Sequence, residues 1–312
     1  MRAAGIAEFA APIELLDLPV PDELRIDEVL LDVRGCGLGN WDDVVRNGYW
    51  DLGRKPPMAL GVEAAGVVTG IGVNVSGLRI GDRVMTHSVP LRDQGAWAES
   101  FVAAAADVAL IPETVPFNVA AAFPIPALTA DQVLRDTLDV RPGSTLLVHG
   151  AGGVTGLVIA QLAAHFGVEV IATAGSHSAE SLAAAPPAHV IDRHAPDLAD
   201  QVGRLTGGHG ADFAVNTVQG DADRALAAVK DGGRFATITS DSPAAVRSIE
   251  VTQVYVAPDG PRLAELGELL ASGAITLTVG AEYPLERAAD ALAHVLRGTN
   301  GQAVVLEPNH GS

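Results

Sequence analysis

Cysteine is nearly absent: Cys36 is the single one in the chain. That excludes an intramolecular disulfide framework and any multi-cysteine zinc site. Positive charge is also scarce, with 20 Lys and Arg against 38 Asp and Glu, a formal net charge of −18. Such a balance disfavours a nucleic-acid backbone or an anionic membrane as partner. There is no run of the roughly 18 uncharged apolar residues that reads as a membrane span, because Pro, Asp or Gly interrupts the alanine-rich stretches. The start, MRAAGIAEF, is strand-like and lacks the basic-then-apolar pattern of a signal peptide. A cytoplasmic protein is expected.

What is present is enough hydrophobic residue, 48% of 312, to build two cores. Up to about Pro116 the pattern is mostly β, with strand-like stretches at 27–33, 61–75, 78–84, 95–102 and 108–111. Residues 35–39 read as a glycine-rich loop, followed by a short helical piece at 41–47. Asn118 reads as a cap for a helix at 118–122, and 128–138 has helical spacing. From Thr145 strands alternate with helices, which implies a parallel sheet covered by helices on both faces. Beyond Pro258 a helix at 262–271, a strand at 276–279, a helix at 286–297 and a strand at 303–306 follow.

The densest signal is residues 144–164, STLLVHGAGGVTGLVIAQLAA. An apolar strand, Thr145–His149, runs into Gly150, Gly153 and Gly156, spaced three apart with Gly152 as a fourth, and then into an apolar helix. Strand, glycine turn, helix is the order of a dinucleotide site. Glycines let the backbone turn tightly and approach a pyrophosphate, and a helix N-terminus offers unpaired N–H groups and a positive dipole end. The spacing is G-x-x-G-x-x-G rather than G-x-G-x-x-G, since Thr155 stands where the pattern asks for glycine. The alternative reading of the same residues is a strand-to-helix turn packed with glycine.

GVEAAGVV at 61–68, GDRV at 81–84, GAWAES at 95–100, PIPALTADQVL at 124–134, VHGAGGVTG at 148–156, DGGRF at 231–235, YPLERAADA at 283–291 and GQAVVL at 301–306 follow one another along the chain. In this order they resemble the medium-chain dehydrogenase/reductase superfamily, most closely its zinc-free NADPH:quinone oxidoreductase-like branch. The resemblance implies an α/β protein. A GroES-like, mostly-β catalytic domain would occupy 1–118 and 259–312, and a Rossmann doubly wound parallel-sheet cofactor domain 119–258. The active site is implied in the cleft between them. Relatives are often dimers, so a homodimer is expected.

Zinc-dependent relatives carry a cysteine in G-x-C-x-x-D and a histidine in G-H-E. Here the matching stretches are Gly37-Leu38-Gly39-Asn40-Trp41-Asp42 and Gly61-Val62-Glu63. Gly39 and Val62 have no metal-binding side chain, and none of the nine histidines pair in a short metal spacing. No metal is expected. His87, His149 and His165 read as structural or surface residues.

NAD binders usually place Asp or Glu after the second strand to bond the ribose 2′-OH. Here Ala174-Gly175-Ser176-His177-Ser178 has no carboxylate, and Arg193 follows the next strand. Ser176, His177 and Arg193 suit a 2′-phosphate, which points to NADPH. Gly150, Ala151, Gly152, Gly153, Val154, Thr155 and Gly156 would cradle its pyrophosphate. The resemblance places Thr129 beside the nicotinamide.

For the acceptor, the resemblance points to 40–50, where relatives commonly have Asn at the position of Gly39 and Tyr at that of Trp50. Tyr49, Trp50 and Asp42 are the candidate catalytic residues. Tyr49 would donate a proton or hydrogen bond to a developing enolate, and Trp50 would stack on a flat substrate. Asp42 and Arg46, four apart, can instead pair with each other. The expected activity is hydride transfer from NADPH to a quinone or an α,β-unsaturated carbonyl. The alternative is a catalytically silent NADPH-binding sensor or scaffold.

Overall fold

The computed structural model describes residues 1–20, 23–179, 182 and 189–308. The chain divides into two compact units, 1–125 with 257–272 and 277–312, and 126–256 with 273–276. The divisions therefore fall after Ile125 and Val256, against the expected 118 and 258. No helix among the described residues is long and apolar enough to cross a membrane.

The first unit is organised on one long strand, Glu28–Leu38. It pairs antiparallel with Glu63–Ile71, Ser100–Ala104 and Ala303–Glu307, and the resulting sheet has seven strands. Arg83–His87 and Val108–Leu110 extend one side, and Val279–Pro284 extends the other, parallel to Ala303–Glu307. A second sheet of three strands joins Glu14–Asp17, Arg2–Ile6 and Met58–Ala59.

The glycines at 35–38 do not make a loop; the strand runs through them. Their role is close packing. A Cβ on Gly35 would stand 3.0 Å from the Ala121 side chain, and one on Gly37 only 2.3 Å from Glu63 Oε1. Missing side chains thus admit the helix Phe117–Ala121 and the Glu63 carboxyl against the strand face. Asn118 is not the cap of that helix. Pro116 holds the cap position, and Asn118 Nδ2 donates to Glu282 Oε1 at 2.7 Å.

The second unit is a parallel sheet of six strands. Across it they run His189–Asp192, Glu169–Ala174, Thr145–His149, Ala211–Asn216, Val229–Thr237 and Glu250–Gln253. Numbered along the chain, the spatial order is 3-2-1-4-5-6, that of a dinucleotide-binding Rossmann sheet. The first strand is central, so its C-terminal end lies at the point where the strand order reverses, and the glycine turn follows it. The apolar central strands are covered by helices that include Val154–His165, Leu198–Leu205 and Ala222–Ala227. The helix expected at 179–184 lies almost wholly outside the described residues; a short turn of helix is seen at Ser176–Ala179.

Residues 273–276 belong to this second unit, although their neighbours on both sides in the chain belong to the first. Gln161, buried on the helix Val154–His165, holds them. Its Nε2 donates to Thr276 O at 3.0 Å, and its Oε1 accepts from Thr276 N at 2.8 Å and from the Thr276 hydroxyl at 2.9 Å. The strand expected at 276–279 starts at Val279 instead, because Thr276 is engaged here. Replacing Gln161 by Ala is expected to lower the unfolding free energy by about 1 kcal/mol, the net worth of such bonds. Chemical denaturation would read the change, and an unchanged midpoint would contradict the assignment.

Candidate active site

The strand Thr145–His149 ends in Gly150, which has a left-handed φ of 91°. A Cβ there would also lie 2.3 Å from the Thr217 hydroxyl. Gly152 packs on Ser178, whose Cβ would be 2.6 Å from a Cβ at 152. Gly156, in the first turn of the helix, would bring a Cβ to 2.3 Å from Gly150 O. Gly153, the N-cap, has an ordinary extended backbone and would meet nothing closer than 3.7 Å. The turn therefore requires Gly150, Gly152 and Gly156, not the evenly spaced trio. One glycine serves the turn, one packs on Ser178, and one packs the helix onto the strand end. Ala151, Val154 and Thr155 complete the stretch, with Val154 and Thr155 at the helix start, where backbone N–H groups lack intrahelical partners.

His149 sits beneath the turn, buried. The Gly150 N–H donates to Thr173 Oγ1 at 2.9 Å, and Thr173 Oγ1 lies 2.9 Å from His149 Nδ1. His149 Nε2 is 2.9 Å from Asp221 Oδ2. These distances are satisfied together when the Thr173 hydroxyl donates to Nδ1 and a neutral imidazole donates from Nε2. Burial holds the imidazole below its ordinary pKa, against the opposing pull of Asp221. Thr217 closes the other side: its hydroxyl donates to His149 O at 3.0 Å and Gly150 O at 3.1 Å.

At the end of the second strand, Arg193 lies beside Gly175, its Nε 3.6 Å from where a Cβ on Gly175 would be. The Arg193 backbone N–H donates to Ala174 O at 3.1 Å. Ser176 begins the helical turn that follows. The structure thus brings Arg193 to the Gly175-Ser176 corner. The side chain of His177 lies outside those described. Thr129, in this unit, is buried on the helix Pro124–Asp131.

In the first unit, the helix Asn40–Arg46 follows the long strand directly. Asp42 is buried, and its Oδ2 accepts from the Gly39 N–H at 2.9 Å, fixing the helix start. Its Oδ1 is buried with no hydrogen-bond partner. Burial pushes the Asp42 carboxyl up to about 8, opposed by the Gly39 bond. Glu63, also buried, accepts from the Ile125 N–H at 2.9 Å through Oε2. Burial holds Glu63 well above the carboxylate range, and the Asp42 charge adds to this. The expected Asp42–Arg46 pair is not formed: Arg46 binds Asp43 at 2.9 Å, because Asp42 points inward. Tyr49 is 85% exposed, and Trp50 is half-buried.

The zinc positions can be tested on geometry. A Cβ on Gly39 would stand 2.3 Å from ring atoms of Trp41, so the indole fills the space into which a ligand side chain would project. Val62 is buried and carries no donor. Among the described residues no three His, Cys, Asp or Glu side chains are grouped so as to hold a metal ion. At these two positions the chain offers no side chain that could ligate a zinc ion.

Several of these partners were not singled out in the sequence. Ser178, Thr173, Thr217 and Asp221 carry no motif and act through contacts across different strands and turns, whereas Trp41 acts on Gly39 two residues away. Only Ser178 had a local signal, as the next hydroxyl after Ser176.

The family model described as "Alcohol dehydrogenase GroES-like domain" matches residues 25–113, and that described as "Zinc-binding dehydrogenase" matches 187–305. A quinone oxidoreductase from Mus musculus is 30% identical over 332 residues, covering 98% of each chain. A structure described as an NAD-dependent alcohol dehydrogenase aligns with a TM-score of 0.89 at 29% identity, covering 99% of this chain and 100% of that one. The Escherichia coli quinone oxidoreductase complexed with NADPH aligns with a TM-score of 0.87 at 25% identity, again over 99% and 100%.

Two variants separate the steric roles of the glycines. Gly156→Ala is expected to lose about 1–3 kcal/mol of stability through overpacking against Gly150. Gly153→Ala should stay within about 1 kcal/mol of wild type. Thermal unfolding checks the order, and equal losses would contradict it. Asp42 makes a pH prediction. Its folded pKa is raised, so its contribution is complete below the ordinary carboxylate value and is lost as pH rises from there through about 8. Asp42→Asn should flatten that decline in melting temperature, leaving the part due to Glu63. Parallel curves for the two proteins would sink the assignment.

Proposed function

Because the chain belongs to the medium-chain dehydrogenase/reductase superfamily and its quinone oxidoreductase-like branch, we propose that it is a zinc-independent, NADPH-dependent reductase of quinones or α,β-unsaturated carbonyls. The observation that carries the reading is the glycine turn at the switch point of a 3-2-1-4-5-6 sheet, beside a corner where Arg193 lies against Gly175. Two acceptor classes share the chemistry of a carbonyl conjugated to a π system.

The chain's own residues divide the work. Gly150, Gly152 and Gly156 keep the backbone free of Cβ atoms, so a pyrophosphate can rest on the helix start at Val154 and Thr155. Ser176 and Arg193 supply a hydroxyl and a guanidinium to a 2′-phosphate, where Asp or Glu would repel it. Thr129 orients the nicotinamide end. When bound, the cofactor supplies a hydride from its C4 position. Trp50 offers a flat face for a planar acceptor, and the Tyr49 hydroxyl or water provides the proton that follows. Asp42 is spent on the helix start and acts as a positioning group. A conjugated acceptor spreads the incoming electrons through its π system, so it needs less Lewis-acid help than an alcohol does.

Purified protein should oxidise NADPH in the presence of a panel of quinones and enones, faster than NADH. Chelator treatment should leave the rate unchanged. Absence of turnover with every acceptor would overturn the reductase reading in favour of a silent NADPH-binding protein. Loss of activity on chelation, restored by zinc, would overturn the metal-free one.

A further inference from the structure

Arg224 lies on the helix Ala222–Ala227, and its side chain is about a quarter exposed, at 25%. It spends its donors inward. Nη1 donates to Arg193 O at 2.6 Å and to Asp221 Oδ2 at 3.1 Å, and Nη2 donates to Ala195 O. Two of these acceptors are backbone carbonyls of the turn that carries Arg193. The third, Asp221 Oδ2, is the oxygen that His149 Nε2 also reaches at 2.9 Å. His149 in turn connects through Thr173 Oγ1 to the Gly150 N–H. One continuous polar chain therefore joins the first glycine of the turn to the 193–195 turn, across three strands and a helix, all within the second unit.

The geometry is specific to a guanidinium. A planar fork reaches two carbonyls and a carboxylate from two separate nitrogens, Nη1 and Nη2, whereas an ammonium would have to reach all three from one. A bond from the backbone of Arg193 to Ala174 O fixes one side of the turn, and Arg224 fixes the other. Among the described residues, the exposed Arg193 side chain is held by its neighbour His194, whose Nε2 accepts from Arg193 Nε at 2.9 Å. Its direction over Gly175 therefore depends on how the backbone beneath it is held.

We propose that Arg224 is a positioning residue for cofactor choice: it clamps the 193–195 turn so that Arg193 faces a 2′-phosphate, and Asp221 and His149 lock that clamp to the glycine turn. The proposal rests on the NADPH reading above. It assigns to Arg224 no contact with the cofactor, only control over the group that makes one.

The test is cofactor binding followed by fluorescence, with NADPH and NADH titrated separately into wild type, Arg193→Ala, Arg224→Ala, Arg224→Lys and the double variant Arg193→Ala with Arg224→Ala. Circular dichroism confirms that each variant folds, and Arg224→Lys keeps the charge should Arg224→Ala fail to fold. Each Arg224 variant is expected to weaken NADPH about tenfold, close to 1.4 kcal/mol, with NADH changed less than about twofold. In the double variant, the loss should not exceed that of Arg193→Ala alone, because both changes disable one contact. Full NADPH affinity in Arg224→Lys would overturn the clamp, since charge alone would then suffice. Additive losses, or equal weakening of NADPH and NADH, would overturn it as well. If wild type prefers NADPH and Arg193→Ala abolishes that preference while the Arg224 variants keep it, the clamp fails and the NADPH reading stands. If wild type shows no preference for NADPH, the NADPH reading fails and the clamp falls with it.

Discussion

Among the glycines of the second unit, the closest approach to backbone is that of Gly156 to Gly150 O, where even a Cβ would sit at 2.3 Å. That closeness sets the helix Val154–His165 directly on the end of the central strand. It aims the helix start, with its unpartnered N–H groups, at the point where the strand order reverses. Gly150 at positive φ makes the turn sharp enough for this, and the Thr217 hydroxyl closes over the resulting carbonyls. Beneath it, Thr173, His149 and Asp221 satisfy one another in a place where an unpaired polar group would be costly. Steric emptiness above and a fully bonded polar layer below together form a rigid seat.

The first unit answers a different constraint, the burial of acid. Asp42 and Glu63 both lie out of water, and each is bonded to a backbone N–H rather than to a cation. Burial favours their protonated forms. The Trp41 indole occupies the space beside Gly39 that would otherwise be open to a longer side chain. Each acid accepts from a backbone N–H at a helix start, Gly39 for Asp42 and Ile125 for Glu63.

Much of this was legible in the sequence. The alternation from Thr145 onward gave the parallel sheet, and the glycine-rich stretch gave its cofactor turn, because period and glycine are local signals. The helix at Val154–His165 follows that pattern residue for residue. Other features were hidden for physical reasons. Gly35 and Gly37 looked like loop residues, since a glycine needed for close packing and one needed for a turn are the same letter. Thr276 read as strand, because its partner Gln161 lies far away in the chain. Asp42 looked ready to pair with Arg46 by helical spacing, yet spacing does not say which neighbour points inward, and Asp43 took the partner. Arg224 and Asp221 had no motif at all, since their value lies in bridging turns that only the folded sheet brings together.

The central claim is that the corner formed by Gly175, Ser176 and Arg193 reads a 2′-phosphate on an adenosine seated at the glycine turn. Calorimetric titration of the wild-type protein with adenosine 2′,5′-bisphosphate and with adenosine 5′-monophosphate isolates that corner from the nicotinamide and from any acceptor. The account predicts that the bisphosphate binds at least about tenfold tighter, a difference near 1.4 kcal/mol. Equal affinity for the two, or tighter binding of the monophosphate, would contradict it.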